Sequence, residues 1–154
     1  MKHWLLKSEP SVFSIDDLDA SPRKTTAWEG VRNFQARNMI RDDMQRGDLA
    51  FFYHSSCPEP GIAGIVEIVR AAYDDPSAKD PRSEYYDAKS AVNKALWYAV
   101  DVKLVRRTRH LISLASLREH AAKQLDGLLL LRKGNRLSIT PVELAHWKFI
   151  LSLE

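Results

Sequence analysis

The chain of 154 residues is long enough for one domain with a buried core, and its 45% apolar and 28% charged residues are typical of globular proteins. No apolar run approaches the ~20 residues of a membrane-spanning helix, so we expect no membrane partner, and the single cysteine excludes an internal disulfide. The net charge of +3 permits an anionic partner without requiring one. We expect residues 1–154 to form a single domain.

The N-terminal segment "MKHWLLKSEP" has an apolar run that is too short for a signal peptide. A lone cysteine is also consistent with a reducing compartment. We therefore expect a cytoplasmic protein. Basic residues gather in two segments, 103–110 and 131–136, which fit either a solvated face or a patch that binds nucleic acid.

The first third of the chain predicts a strand and two helices. "HWLLK" is typical of a short buried strand, and Ser14 with Asp17 forms a capping-box pattern for a brief helix. Asn33 is a plausible N-cap of a second helix and Gly47 a plausible stop at its C′ position. The apolar residues of that helix recur on one face, at Ala36, Met39, Ile40 and Met44.

Three strands are predicted in the middle of the chain. Residues 49–54 and the β-branched segment 62–73 indicate two of them, and the alternating pattern of residues 97–107 indicates a half-buried third. The acidic segment 73–87 contains two prolines, so we expect a long loop across the surface.

The last third predicts a helix over residues 113–125, a short strand over 136–139 and a final helix over 140–151. The final helix would open with Thr140 as the cap, Pro141 at the first helical position and Glu143 completing a capping box. Because the long strands are adjacent, we expect a mixed α+β domain. Its sheet would be curved and mainly antiparallel, or a small barrel, with helices packed outside.

Lys7, Ser8 and Glu9 come at the end of the first predicted strand. A lysine, a hydroxyl and a carboxylate can perform acid–base chemistry, hydrogen-bond the edge of a polar ring, or lie in solvent. The pattern alone leaves these alternatives open. The histidines lack a metal-ligand spacing, and no glycine-rich phosphate loop is present, so we expect no metal and no cofactor.

Aromatic residues supply the stronger indication. Trp28 lies in a turn-like context, where a tryptophan either plugs the edge of a core or lines a pocket. Tyr53 and His54 end a predicted strand, where side chains can face a barrel mouth. An aromatic face stacks on any nucleobase, which contributes ~1–3 kcal/mol per base, and nearby arginines such as Arg32 could meet phosphates.

Segments spread over nearly the whole chain resemble, in the same order, the EVE domain family. They are "HWLLKSEP", "WEGVRNFQARNMIRDDMQRGDLAFFYHSS", "PGIAGIVEIV", "DPRSEYYD", "WYAVDVKLVRR", "LLLLRKGNRLSITPV" and "FILSL". The resemblance implies a PUA-like fold, a small bent mixed or antiparallel β-barrel surrounded by helices, related to the YTH domains that bind methylated adenine in RNA.

The resemblance also implies a function: non-catalytic binding of a modified nucleobase in DNA or RNA by a monomer. The base would be turned out of its stack into an aromatic pocket flanked by basic residues. One alternative is a hydrolase that acts on a modified base or nucleoside, as in the ASCH-like amidohydrolases, and would use Lys7, Ser8 and Glu9. A scaffold that binds a partner protein is another.

Site residues follow from the same resemblance. Trp28 would be the stacking wall and Val31 an apolar contact beside the modifying group, while Arg32 and Arg136 would hold phosphates. Glu9 stands where the YTH domains have an amide, and an ionised acid only accepts, which favours a base with an amino group. The expected pocket residues are Lys7, Ser8, Glu9, Trp28, Val31, Asn33, Tyr53, His54, Ser55 and Ser138. Asn33 could instead serve only as a helix cap.

Overall fold

A computed structural model describes residues 1–92 and 96–154, and in these six strands form one mixed sheet in the order β2-β5-β4-β3-β1-β6. Strands β1 and β3 are parallel, and the other neighbouring pairs are antiparallel. The strands are β1 His3–Ser8, β2 Thr25–Trp28, β3 Leu49–His54, β4 Gly61–Asp74, β5 Tyr98–Ser113 and β6 Ile139–Val142.

The described helices are short. They are α1 Ile15–Ala20, α2 Phe34–Asn38, α3 Ala88–Val92, α4 Leu114–Arg118 and α5 Leu144–Leu151. Helix α2 continues as a π-helical turn over Met39–Asp43, and single 3₁₀ turns lie at Pro22–Lys24, Pro76–Lys79 and Leu129–Leu131. Within the described ranges, every helix falls short of the length and apolar character that crossing a bilayer requires.

The mixed α+β class was predicted, but the sheet is open rather than closed into a barrel. Among the described residues β2 and β6 each pair with one strand only, so they are the two edges. The register of β4 against β5 shifts at several points. Such bulges bend and twist a strand pair, which curves this part of the sheet without joining its edges.

Two cores lie on opposite faces of the sheet. Side chains alternate along a strand, so Leu6 and Leu5 of β1 enter different cores. Leu6 packs in the core under α1 and α2 together with Trp28. Leu5 packs in the core under α4 and α5, where the rings of Phe51 and Trp147 stack with centroids 3.9 Å apart.

The strand predictions for β1, β3, β4 and β5 are confirmed in position, although β5 runs on to Ser113. Both bonds of the capping box at Ser14 and Asp17 are formed, and the side chain of Asn33 accepts from the Ala36 N–H as the N-cap of α2. These short-range signals succeeded because their partners are three residues apart.

The predicted stop at Gly47 was wrong. The helical segment ends at Asp43, and its cap residue Met44 is extended and donates its N–H to the Met39 carbonyl. Gly47 lies beyond, in a turn with φ +96°, and donates to Ile68 of β4 instead.

The C-terminal predictions also need correction. Of the helix expected over residues 113–125, only α4 forms, and turns follow it that still bury Leu125. Thr140 and Pro141 belong to β6, where Thr140 pairs with Leu5, so α5 begins only at Leu144. Pairing with β1 outweighs the helix-start signal, and Pro141 is tolerated because β6 is an edge strand.

Candidate functional site

A cavity of about 530 Å³ opens beside the ends of β1 and β2. Its size lies within the range of small-molecule and base-sized sites. The lining comes from the end of β1, from the turn that joins β2 to α2, from the loop after β4 and from the residue before β6. The lining residues are Lys7, Ser8, Glu9, Val12, Phe13, Thr26, Ala27, Trp28, Glu29, Gly30, Val31, Arg32, Asn33, Glu84, Tyr85 and Ser138.

Trp28 forms an aromatic wall of the cavity. It is the last residue of β2, is 9% exposed, and meets the edge of Phe52 at a centroid distance of 5.6 Å. Val31 lines the same cavity and packs in the same core. The two residues expected to stack on a base and to contact its substituent are therefore adjacent to one space.

The end of β1 supplies polar groups. Burial lowers the pKa of Lys7, whose ammonium has no hydrogen bond or ion pair to the described residues. Its backbone N–H donates to the Ser138 carbonyl at 2.9 Å, which brings Ser138 to the lining. The Ser8 hydroxyl donates to the Phe13 carbonyl at 2.6 Å, so its proton is already used in a hydrogen bond within the protein.

The residues at the end of β3 were expected in the pocket, but they lie outside its lining. They are Tyr53, His54 and Ser55. Tyr53 is 3% exposed and packs in the opposite core, because alternation turns it away from the face of Phe52. The His54 Nε2 accepts from the Ile15 N–H at 3.1 Å, and Ser55 donates its N–H to the Ser8 carbonyl. His54 and Ser55 thus support the neighbouring turns.

Arg32 lines the cavity, but it is not free to hold a phosphate as expected. Its Nε and Nη2 donate to the Tyr85 carbonyl at 3.1 and 2.7 Å, and Nη2 also reaches the Ser77 hydroxyl. Its Nη1 donates to the Val31 carbonyl and to the carboxylate of Asp75. A guanidinium has five N–H groups, and here all five are used within the protein.

Asp75 is the centre of this arrangement. It is 1% exposed and accepts from the backbone N–H of Gly30 and from the N–H and hydroxyl of Ser77 as well as from Arg32. Burial alone would raise its pKa, but the bonds from Ser77, Gly30 and Arg32 together hold that pKa below its ordinary value. The loop expected to cross the surface is therefore anchored in the interior at its start, while most of residues 79–87 are exposed.

Arg136, the other expected phosphate ligand, is exposed and lies outside the lining, two residues before Ser138. The basic segment 103–110 is partly neutralised, since Arg106 pairs with Glu154 and Arg107 with Asp16 and Asp19. In the described part of the chain, no three His, Cys, Asp or Glu side chains cluster as a metal ion would need.

Comparison with known proteins identifies the family. The EVE domain model matches residues 2–153. The chain belongs to the EVE domain family. Thymocyte nuclear protein 1 of Gallus gallus is 46% identical over 99% of this chain and 68% of that protein. A crystal structure from Pseudomonas syringae has 50% identity and a TM-score of 0.91, with 98% of each chain covered.

A second solved structure, human thymocyte nuclear protein 1 in complex with DNA containing 5-methylcytosine, matches this EVE domain with a TM-score of 0.93. The two are 42% identical, and the match covers 99% of this chain and 97% of the other. An ASCH protein from Zymomonas mobilis is similar with a TM-score of 0.56 at 11% identity, which is a likeness of fold alone.

Several lining residues of this EVE domain were missed from the sequence. Glu29 directly follows Trp28, and the ring of Tyr85 lies so close to Gly30 that a Cβ there would be 2.7 Å from it. The segment "DPRSEYYD" belongs to the loop that was expected to cross the surface. Its Tyr85 carbonyl holds Arg32, and Glu84 and Tyr85 also line the cavity. Their distance of more than 50 residues from Trp28 gave no sequence signal.

The lining of the cavity is mainly acidic, whereas the sequence predicted an aromatic pocket flanked by basic residues. Because Arg32 is paired with Asp75, the remaining charged groups of the lining are one ammonium, that of Lys7, and three carboxylates. The carboxylates are those of Glu9, Glu29 and Glu84. The interior of the cavity therefore favours neutral or donor-rich groups over phosphate.

Proposed function

We propose that this EVE domain, as a PUA-like module, binds DNA that carries a modified nucleobase and holds that base beside Trp28 without changing it chemically. The observation that carries the proposal is the cavity of about 530 Å³ with an aromatic wall and free polar groups. Support comes from human thymocyte nuclear protein 1, whose similar domain was crystallised with 5-methylcytosine DNA. We take 5-methylcytosine as the first candidate base.

The energetics are consistent with modest selectivity. Turning a base out of its stack costs a few kcal/mol, and stacking on an aromatic ring returns ~1–3 kcal/mol. The methyl group adds only ~0.8 kcal/mol when it is buried, for which Val31 is the proposed contact. Preference for 5-methylcytosine over cytosine should therefore be about fourfold, unless polar contacts add to it.

The sugar–phosphate backbone must be held outside the cavity, because the lining is acidic. Arg136 is exposed near the Ser138 side of the opening, so it remains the proposed phosphate contact, while Arg32 takes a structural role. Binding through such cations weakens as salt rises, because bound counterions are released from DNA.

Binding of labelled single-stranded oligonucleotides, followed by fluorescence anisotropy at low salt, tests the proposal. One strand would carry 5-methylcytosine and its twin cytosine. Trp28→Ala should lower affinity for both about tenfold or more and abolish the preference. Trp147→Phe, in the opposite core, is the matched control and should retain both. Equal affinity of native protein and Trp28→Ala for the methylated strand would overturn the proposal.

The geometry gives less support to the hydrolase alternative. That chemistry would require the Ser8 hydroxyl to give its proton to a base, whereas it donates to the Phe13 carbonyl. The likeness to an ASCH protein concerns only the fold. Nucleoside analysis of the oligonucleotides recovered from the binding assay separates the two functions, since a hydrolase would leave altered bases behind.

A further inference from the structure

Glu29 occupies a fixed position in the cavity. It follows Trp28, the aromatic wall, and precedes Gly30, whose backbone has φ +81° and whose N–H is bonded to Asp75 at 2.9 Å. The backbone on both sides of Glu29 is thus held by the strand and by the buried aspartate. Its carboxylate therefore belongs to the same cavity as any ring that stacks on Trp28.

The carboxylate of Glu29 has no internal partner in the described residues, in contrast to Asp75, which receives donors from Gly30, Arg32 and Ser77. Burial raises the pKa of Glu29, nearby Asp75 raises it further, and Arg32 opposes them. Glu29 is exposed, so its carboxylate is open to a ligand that enters the cavity and can accept from a ligand N–H there.

The chemistry of pyrimidines makes such an acceptor discriminating. Cytosine presents an amino group at its position 4, whereas thymine presents a carbonyl oxygen there. Because 5-methylcytosine and thymine both carry a methyl group at position 5, stacking on Trp28 and contact with Val31 cannot distinguish them. An ionised carboxylate accepts a charge-assisted hydrogen bond from the amino group and repels the carbonyl oxygen.

We propose that Glu29 is the specificity-determining residue of the cavity, and that it accepts a hydrogen bond from the exocyclic amino group of a cytosine-type base and thereby excludes thymine. This rests on the proposed function, since it concerns the base held in the same cavity. It assigns to Glu29 the preference for an amino group that the sequence suggested for Glu9. Both acids are exposed and line the cavity, but Glu29 directly follows Trp28, the aromatic wall.

Three single strands that differ only in cytosine, 5-methylcytosine or thymine at one position test the assignment. Sites built to hydrogen-bond an N–H reject analogues without it by up to ~10⁴-fold, and partial solvent access reduces this to roughly 10–100-fold. Glu29→Gln should reduce the preference for 5-methylcytosine over thymine to within about threefold, because an amide can also donate to a carbonyl. Glu59→Gln, in an exposed loop, should leave it unchanged.

The outcomes separate this inference from the proposed function. If native protein discriminates against thymine and Glu29→Gln does so equally, Glu29 is not the discriminating group, although base binding stands. If Glu9→Gln alone removes the discrimination, Glu9 holds the role. If native protein binds all three strands alike and independently of Trp28, the proposed function itself fails.

Discussion

Arg32 and Asp75 form an ion pair, with Nη1 and Oδ2 2.9 Å apart, that joins the turn after β2 to the loop after β4. The Asp75 side chain is fully buried and that of Arg32 is 24% exposed. Because the same guanidinium also binds the Tyr85 carbonyl twice, the pair holds the wall of the cavity that Tyr85 forms. A contact between two parts of the fold therefore determines the shape of the site.

Replacing Asp75 by Asn should be strongly destabilising. It leaves the Arg32 charge uncompensated and puts an amide NH2 in place of one of the two oxygens that accept from Gly30, Arg32 and Ser77. The loss of one partner from a largely buried pair costs ~3–5 kcal/mol. The free energy of unfolding in urea measures this. Asp74→Asn is the matched control, since Asp74 pairs with Lys79 at the surface, where such pairs contribute ~0–1 kcal/mol. Similar small losses in both variants would contradict a structural role for the pair.

Gly30 is required for two separable reasons, and each can be measured. Its φ of +81° is the left-handed region, and a Cβ there would lie 2.7 Å from the Tyr85 ring. Gly134 has nearly the same φ, +80°, with open space around it. We expect Gly134→Ala to cost ~1–2 kcal/mol from backbone strain alone, and Gly30→Ala to cost more.

The excess at Gly30 should come from the ring. Combining Gly30→Ala with Tyr85→Ala removes the overlap, so the double variant should be more stable than the sum of the two single effects predicts. Simple additivity, measured by urea denaturation, would show that the ring moves aside freely. In that case the Tyr85 wall is not fixed against Gly30.

Local patterns allowed much of the fold to be predicted. The alternation of residues 97–107, the capping box at Ser14 and the cap at Asn33 depend on neighbours in sequence, and all three formed. Trp28 and Lys7 line one cavity, as the family resemblance implied. The open sheet could not be predicted, because strand order depends on pairings such as β1 with β6 that join distant segments.

The errors in the site have the same physical origin. Tyr53 was placed in the pocket because it ends a strand, but a sheet covered on both faces buries alternate residues in different cores. Arg32 was expected to hold phosphate because it lies near Trp28 in the sequence. Its partner Asp75 is 43 residues away and becomes visible only in the folded chain.

His54 should make stability depend on pH. Burial lowers its pKa from the ordinary value of 6.5, with Arg107 acting in the same direction and Asp16 opposing. The unfolded chain then binds the proton more readily, so stability is complete above pH 6.5 and declines as pH falls below it. Protonation would also place a donor at Nε2, opposite the Ile15 N–H that it now accepts.

The pH profile of the urea midpoint measures this effect. His54→Gln offers a neutral acceptor to the Ile15 N–H and should flatten the profile just below pH 6.5. Burial also lowers the pKa of His3, so adding His3→Gln to His54→Gln should flatten the pH profile further. A profile that is as steep in His54→Gln as in the native protein would show that His54 titrates normally in the folded state.

Replacement of Thr140 by valine should stabilise the protein. The Oγ1 of Thr140 is fully buried in β6 and has no hydrogen-bond partner among the described residues. An unsatisfied buried polar group costs ~1–3 kcal/mol, so Thr140→Val should raise the free energy of unfolding by about 1 kcal/mol. Thr108→Val is the matched control, because the Thr108 hydroxyl donates to the Ile62 carbonyl at 3.3 Å. If Thr140→Val also lowers stability in urea, then the hydroxyl makes a bond in solution, and Thr140 is retained for that bond rather than tolerated at a cost.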